Sequence, residues 1–304
     1  MINVFSNVEC ELGEGPLWHP LRQSLFWLDI NNKMLYEKAF NSTKLDYDNS
    51  WLLPDIGTAL ALDGSNIDSL LIITDLYFGR LDLNKGTLNS IVKLALDENM
   101  RTNDGGVAPD GSFWFGSMEK KPTGTNGSIF SIKPNGELRG FPFKIGIPNT
   151  FCWTEDGKTL YLSDSLQQKM FTVKVDSELD VANSEEDIFI DLSSTSSTPD
   201  GGAIDIEGNL WNAQWDGFKV QCYSNKAEEL TNIRLPVPKV TSCCFGGPEM
   251  KHLFITTAKE GMTTDEMSIY PLSGKTFTVS LPVAGKEILA FFMDKILMTP
   301  KEEN

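Results

Sequence analysis

The sequence predicts an all-β chain folded as a six-bladed β-propeller, with four antiparallel strands in each blade. Three observations carry this expectation. One short pattern recurs six times along the chain. The copies stand 45, 43, 47, 50 and 43 residues apart, measured at their central apolar residue. Strong helical periodicity is missing throughout. A repeat of about 40–50 residues built from short strands marks a propeller blade. A β-sandwich also alternates strands with turns, but nothing in it demands six equal units.

Taken in order, the copies are Ser24–Asp29 (SLFWLD), Ser69–Thr74 (SLLIIT), Ser112–Ser117 (SFWFGS), Thr159–Asp164 (TLYLSD), Asn209–Gln214 (NLWNAQ) and His252–Thr257 (HLFITT). Their anchors are Phe26, Leu71, Trp114, Tyr161, Trp211 and Phe254. Each copy follows a turn rich in Asp, Gly or Asn, such as Pro109-Asp110-Gly111, Glu155-Asp156-Gly157 or Glu207-Gly208, which suits a hairpin. The polar stretches Lys120–Gly127 and Ser193–Ser197 fit as loops on this frame. The repeats fill the chain, so residues 1–304 are expected to form a single domain. Its N-terminal strand should close the ring by pairing with C-terminal strands, because an open propeller leaves edges exposed.

Composition narrows the function. Lys and Arg number 26 against 42 Asp and Glu, a net charge of −16. Such an acidic surface lacks the cations that displace phosphate counterions, so no nucleic-acid partner is expected. The densest apolar stretches, Leu70–Phe78 and Ile288–Met298, are broken by Asp75 and Asp294 and fall short of a membrane span. No basic residue precedes Arg22, whereas Glu9, Glu11 and Glu14 do, which is not the pattern of a secretory leader. Five scattered cysteines without a CxxC pair argue against a zinc ribbon or a disulfide framework. A cytoplasmic location with reduced thiols is therefore expected. With only His19 and His252 present, any divalent metal must be held mainly by oxygen donors. There is no GxSxG nucleophile elbow, and both histidines fall away from the polar register described next.

A propeller gathers its ligands on the central axis, at one end of the innermost strands. Stepping back 11 or 12 residues from each anchor reaches Glu14, Asn103 (with Asp104 beside it), Asn149 and Asp200 in four different repeats. The second and sixth repeats offer Thr58-Ala59 and Thr241-Ser242 there. Glycine follows in Glu14-Gly15, Asp104-Gly105 and Asp200-Gly201. Singly, each of these is a turn signal. Together, three or four oxygen donors with two carboxylates make a hard-cation site with room for substrate. Arg101 lies just upstream of Asn103, and Glu119 falls where the next strand returns to the same end. Arg101 is either a salt-bridge partner of the acids or a grip on substrate oxygens.

The segments Gly13–Pro20 (GEGPLWHP), Arg101–Met118 (RTNDGGVAPDGSFWFGSM), Asn149–Ser165, Pro199–Trp215 and Val240–Ala258 are similar to the senescence marker protein/gluconolactonase/regucalcin-like family. That resemblance spans nearly the whole chain in the family's order. It implies a six-bladed propeller that hydrolyses sugar lactones with one bound divalent ion, Ca²⁺ first and Zn²⁺, Mn²⁺ or Mg²⁺ as alternatives. By the same resemblance Glu14, Asn149 and Asp200 are the metal ligands, and Asp200 is also the catalytic base. Arg101, Asn103 and Glu119 match substrate-contact positions. Two departures stand out: Thr150 replaces the glycine that usually follows the ligand asparagine, and Ser273-Gly274 replaces a Gly-Gly pair. Threonine accommodates positive φ poorly, so the loop carrying Asn149 is expected to follow a different path.

The expected activity is gluconolactonase-like, aldonolactone to aldonic acid, by a monomer or weak homo-oligomer acting on a small sugar lactone. Three alternatives stay open at this level: a non-catalytic calcium-binding regulator using the same pocket, an arylesterase or phosphotriesterase on a similar propeller, and a scaffold that binds peptides on its flat face.

Overall fold

The computed structural model describes residues 1–175 and 187–294, so the last part of the Ile288–Met298 stretch lies outside the described residues. A first strand, β1 (Asn3–Ser6), precedes the blades. Blade one is β2 (Gly13–His19), β3 (Ser24–Asp29), β4 (Met34–Ala39) and β5 (Asn49–Leu52). Blade two is β6 (Gly57–Asp63), β7 (Ser69–Thr74), β8 (Tyr77–Asp82) and β9 (Thr87–Lys93). Blade three is β10 (Met100–Val107), β11 (Phe113–Glu119), β12 (Gly127–Ile132) and β13 (Leu138–Ile145). Blade four is β14 (Pro148–Trp153), β15 (Thr159–Asp164), β16 (Lys169–Lys174) and β17 (Asp187–Asp191). Blade five is β18 (Thr198–Ile204), β19 (Leu210–Trp215), β20 (Lys219–Tyr223) and β21 (Glu229–Arg234). Blade six holds β22 (Val240–Gly246), β23 (His252–Thr257) and, after the short helix α1 (Thr264–Ile269), β24 (Thr276–Ser280). A two-residue strand, β25 (Ala290–Phe291), follows.

The blades are antiparallel sheets, as the repeat predicts, and β1 completes blade six by pairing with β24 (Val4 opposite Phe277). The first strand therefore closes the ring. The inner strands β2, β6, β10, β14, β18 and β22 each pack on the next, and β22 returns to β2. All six anchors are buried on the second strand of their blades. A second strand lies between neighbouring blades and is covered on both faces, which is why SLFWLD and SLLIIT are buried along their whole length. Outer strands such as β9 and β21 face solvent and carry the polar sequences TLNSIVK and ELTNIR. At the seam between blades six and one, Phe254 stacks on Trp18 at 5.6 Å and meets Phe5 edge-on at 4.9 Å. Burying an aromatic side chain of this size contributes roughly 1.5–3 kcal/mol.

Buried aspartates tie successive blades together. The Asp29 carboxylate accepts the Glu11 and Leu12 amides at 3.0 and 3.2 Å. At the same place in blade four, Asp164 accepts those of Gly146 and Ile147 at 2.8 and 3.1 Å. Each satisfies main-chain donors of the loop entering its blade, which would otherwise be orphaned.

One feature was not expected from sequence. Residues 284–294 form a strap across the end of the ring remote from Glu14. The Lys286 amide donates to Ile204 O at 3.2 Å, β25 runs parallel to β6 with Phe291 opposite Asp63, and the Asp294 amide reaches Pro134 O at 3.0 Å. The strap bounds a cavity of about 530 Å³ whose walls include Phe151, Trp153, Ile204, Phe245 and Ile288. Among the described residues, no helix is long and apolar enough to cross a membrane.

Candidate active site at the axial mouth

The ladder between the first two strands of each blade tests the shared register directly. Phe26 pairs with Leu17, Leu71 with Ala61, Trp114 with Gly106, Tyr161 with Cys152, Trp211 with Ala203 and Phe254 with Cys244. Three residues before each partner stand Glu14, Thr58, Asn103, Asn149, Asp200 and Thr241. These six positions are equivalent, and they ring one mouth of the axial tunnel. Every inner strand is irregular there: the pairing shifts between Glu14 and Leu17, Gly57 and Ala59, Thr102 and Gly105, Asn149 and Cys152, Pro199 and Gly202, and Val240 and Ser242. A bulge leaves one residue unpaired and re-aims its side chain, so the repeated irregularity positions the site.

Arg101, Asn103 and Asn149 form one chain of contacts. The Arg101 guanidinium donates to Thr102 O and Asn103 Oδ1, both at 2.9 Å. Asn103 Nδ2 donates to Asn149 Oδ1 at 3.0 Å and to Pro148 O at 2.9 Å. Asn149 Nδ2 then donates to Ser165 Oγ at 2.8 Å. These bonds fix which end of each amide is oxygen, and the Asn149 oxygen retains a second lone pair. Among the described residues Arg101 makes no direct ion pair; it sits within the field of Glu260, Glu14, Asp200 and Asp75. Burial holds its pKa below the usual value, against the pull of those acids. Blades two and six contribute only hydroxyls. Thr58 Oγ1 meets Thr102 Oγ1 at 2.7 Å, and Thr241 Oγ1 donates to Gly13 O at 2.5 Å.

Three carboxyl groups crowd the same mouth. Burial, then the neighbouring charge of Asp104, pushes Glu14 up to about 8. Burial pushes Asp104 to about 6, although the Gly105, Thr150 and Phe151 amides pull it back. Asp200 is raised well above the usual range by burial, Glu14 and Asp104. Like charges drawn together in a poorly solvated place resist ionising unless a cation joins them. Such a set fits a divalent ion, for which Glu14 and Asp200 would supply charge and Asn149 an amide oxygen. Among the described residues, no three His, Cys, Asp or Glu side chains are gathered as a metal site on their own.

Glu119 stands apart from the cluster. It lies at the rim on β11, opposite Met100, and accepts the Thr123 amide at 2.8 Å and the Thr123 hydroxyl at 2.9 Å. Those bonds hold its carboxyl below the ordinary carboxylate range. It anchors the β11–β12 loop, and no contact joins it to Arg101 or Asn103 among the hydrogen bonds of the described residues. His19 is buried with Nδ1 accepting the Arg22 amide at 3.4 Å, and His252 packs on Phe40; neither serves the mouth.

The expectation for Thr150 needs correction. The loop does not detour: Thr150 holds the left-handed conformation that glycine would take, with φ 60°. For a β-branched residue that conformation costs on the order of 1–2 kcal/mol. Its hydroxyl offsets the cost by donating to the Asp200 carbonyl and accepting from Asn212 Nδ2 at 3.0 Å and Ser163 Oγ at 2.8 Å. Its amide donates to Asp104 Oδ2 at 3.0 Å. Ser163, Ser165 and Asn212 carried no signal in a single sequence, since serine and asparagine on strands are ordinary. Asp104 was visible only as the neighbour of Asn103.

Residues 12–259 match the model of the SMP-30/Gluconolactonase/LRE-like region. A pentonolactonase of Haloferax volcanii is 30% identical over 255 residues, covering 83% of each chain. Regucalcin of Xenopus laevis is 29% identical over 289 residues, 92% of this chain and 95% of its own. Among solved structures, a calcium-binding regucalcin from Agrobacterium tumefaciens superimposes with a TM-score of 0.89 at 28% identity, covering 95% of this chain and 97% of its own. The chain belongs to the SMP-30/gluconolactonase/LRE-like family.

Proposed function

We propose that this member of the SMP-30/gluconolactonase/LRE-like family is a lactonase, a hydrolase that opens a sugar lactone to its hydroxy acid with the help of one divalent cation. The observation that carries the reading is the convergence of Glu14, Asn149 and Asp200 from three blades onto one mouth, with Arg101 beside them and free of a direct carboxylate partner among the described residues. Lactonase names among the relatives support the reaction class, and the calcium-binding regucalcin supports an oxygen-ligated cation.

Glu14, Asn149 and Asp200 would hold the ion. When bound, it supplies charge that polarises the lactone carbonyl and acidifies a water. Asp200 accepts the proton of the attacking water and returns it to the ring oxygen as the C–O bond breaks. Held beside the cation, the Asp200 carboxylate is ionised and so able to accept a proton. Asn103 fixes the Asn149 oxygen, and the remaining Arg101 N–H groups grip substrate hydroxyl or carbonyl oxygens, a positioning role that removes several kcal/mol of barrier in favourable cases. Glu119, at the end of β11, would meet the distal end of a sugar.

The test is metal analysis followed by a pH-indicator screen over aldonolactones, aryl esters and phosphotriesters. Turnover of aldonolactones above the other two classes supports the proposal. Metal binding without turnover of any class would instead make the chain a calcium-binding regulator.

A further inference from the structure

Thr150 is built into the gap between blades four and five. Thr150, Ser163 and Asn212 are each at most 1% exposed. The Thr150 hydroxyl has one hydrogen to give and two lone pairs to fill, and all three are used: on the Asp200 carbonyl, Asn212 Nδ2 and Ser163 Oγ. Asn212 Nδ2 adds a second bond to the Asp200 carbonyl at 2.9 Å. The bonds therefore hold Asp200 through its main chain, which leaves its carboxylate free for other partners. Thr150 also follows Asn149 directly. One hydroxyl thus ties the backbone beside the blade-four ligand to the backbone of the blade-five ligand. Its methyl group fills the same gap, lying 3.3 Å from where a Cβ on Gly202 would stand.

We propose that Thr150 is a positioning residue: its hydroxyl fixes the separation of Asn149 and Asp200, and so sets how tightly the mouth holds its cation. A glycine here would adopt the same φ without strain but would supply no such tie. The inference rests on the metal-binding reading above and extends it to a residue that touches neither ion nor substrate. Groups that orient a ligand from behind typically change metal affinity by about 10–100-fold when removed.

The experiment uses the full chain stripped of metal by chelator. Calorimetric titration with Ca²⁺ alone, or with Mn²⁺ or Zn²⁺ where Ca²⁺ gives no heat, is run on wild type, Thr150→Ser, Thr150→Val and Thr150→Gly. The melting temperature of each metal-free protein and its kcat and KM are measured alongside. Thr150→Ser should keep its Kd within about threefold of wild type. Thr150→Val and Thr150→Gly should each weaken it by about tenfold or more, with kcat falling further than KM rises. Thr150→Gly guards against misfolding of the valine variant, since glycine takes this backbone conformation freely. An unchanged Kd in Thr150→Gly, or a lowered melting temperature with Kd intact, would overturn the inference and leave Thr150 a packing residue. Failure of wild type itself to bind any of the three ions would bring down the metal reading, and this inference with it.

Discussion

Substituting Glu14→Gln should stabilise the metal-free protein at pH 8 while abolishing tight cation binding. Glu14 is raised from 4.5 to about 8, first by burial and next by the charge of Asp104. A carboxyl whose folded pKa lies above its unfolded one keeps, in the fold, a proton that the unfolded chain releases. Stability is then fully present below about 4.5 and is lost as pH climbs through about 8. Integrated between pH 5 and pH 8, that linkage amounts to roughly 3 kcal/mol for this one group. Glu14 remains partly accessible from the tunnel, so a realised value of ~1–3 kcal/mol is expected. Glutamine has no proton to lose, and its oxygen can still accept the Gly15 amide, which Glu14 Oε2 does at 3.0 Å. Urea denaturation in chelator at both pH values measures the effect, and calorimetry with Ca²⁺ measures binding. The stability of Glu14→Gln should decline less between pH 5 and pH 8 than that of wild type, by that amount. Parallel decline in the two proteins would refute the account of a crowded, cation-seeking mouth.

Exhaustive chelation should abolish lactone hydrolysis, and added divalent metal should restore it; full activity with metal absent by elemental analysis would contradict the proposed chemistry. Asp200→Asn should stay folded, because Thr150 and Asn212 hold residue 200 by its carbonyl, yet lose at least about 100-fold in kcat, the lower end of what a general base contributes. Near-normal kcat would move the base to Glu119 or Asp104. Arg101→Ala should raise KM with little change in kcat if the guanidinium grips ground state and transition state alike, and steady-state kinetics decides. Phe254→Ala, at the seam shared with Trp18 and Phe5, should cost about 3–5 kcal/mol in urea denaturation; a loss under 1 kcal/mol would mean that the seam repacks.

The architecture was legible because a blade repeats both its buried second strand and the distance from that strand to the axis. Phe26, Trp114, Tyr161 and Trp211 could therefore be counted back to Glu14, Asn103, Asn149 and Asp200 without knowing any coordinate. What lay between blades was not legible. Two of the partners of Thr150, Asp200 and Asn212, come from the next blade, and spacing along one strand cannot report a contact across two blades. The conformation of Thr150 was misjudged for a related reason: propensity counts the strain of a positive φ but not the hydrogen bonds that offset it. Glu119 was placed at the correct end of its strand, but its bonds to Thr123 belong to a loop whose path the repeat does not specify. The strap of residues 284–294 follows the last repeat and obeys no period at all.

Closure of the ring by β1 sets an order of events during synthesis. The strand at Asn3–Ser6 emerges first, but its partner Thr276–Ser280 emerges some 270 residues later. At about 5–20 residues per second, β1 waits roughly 15–55 s for a ladder to join. Throughout that interval five blades can form in sequence, while the sixth has no outer strand and the main chain of Asn3–Ser6 has no ladder partner. The nascent chain thus carries a loose arm until Thr276–Ser280 has emerged, and the closing step is the docking of this arm onto a nearly complete ring. A chaperone or a fusion partner that delays that arm would hold the protein one strand short of finished, with every residue of the axial mouth already made.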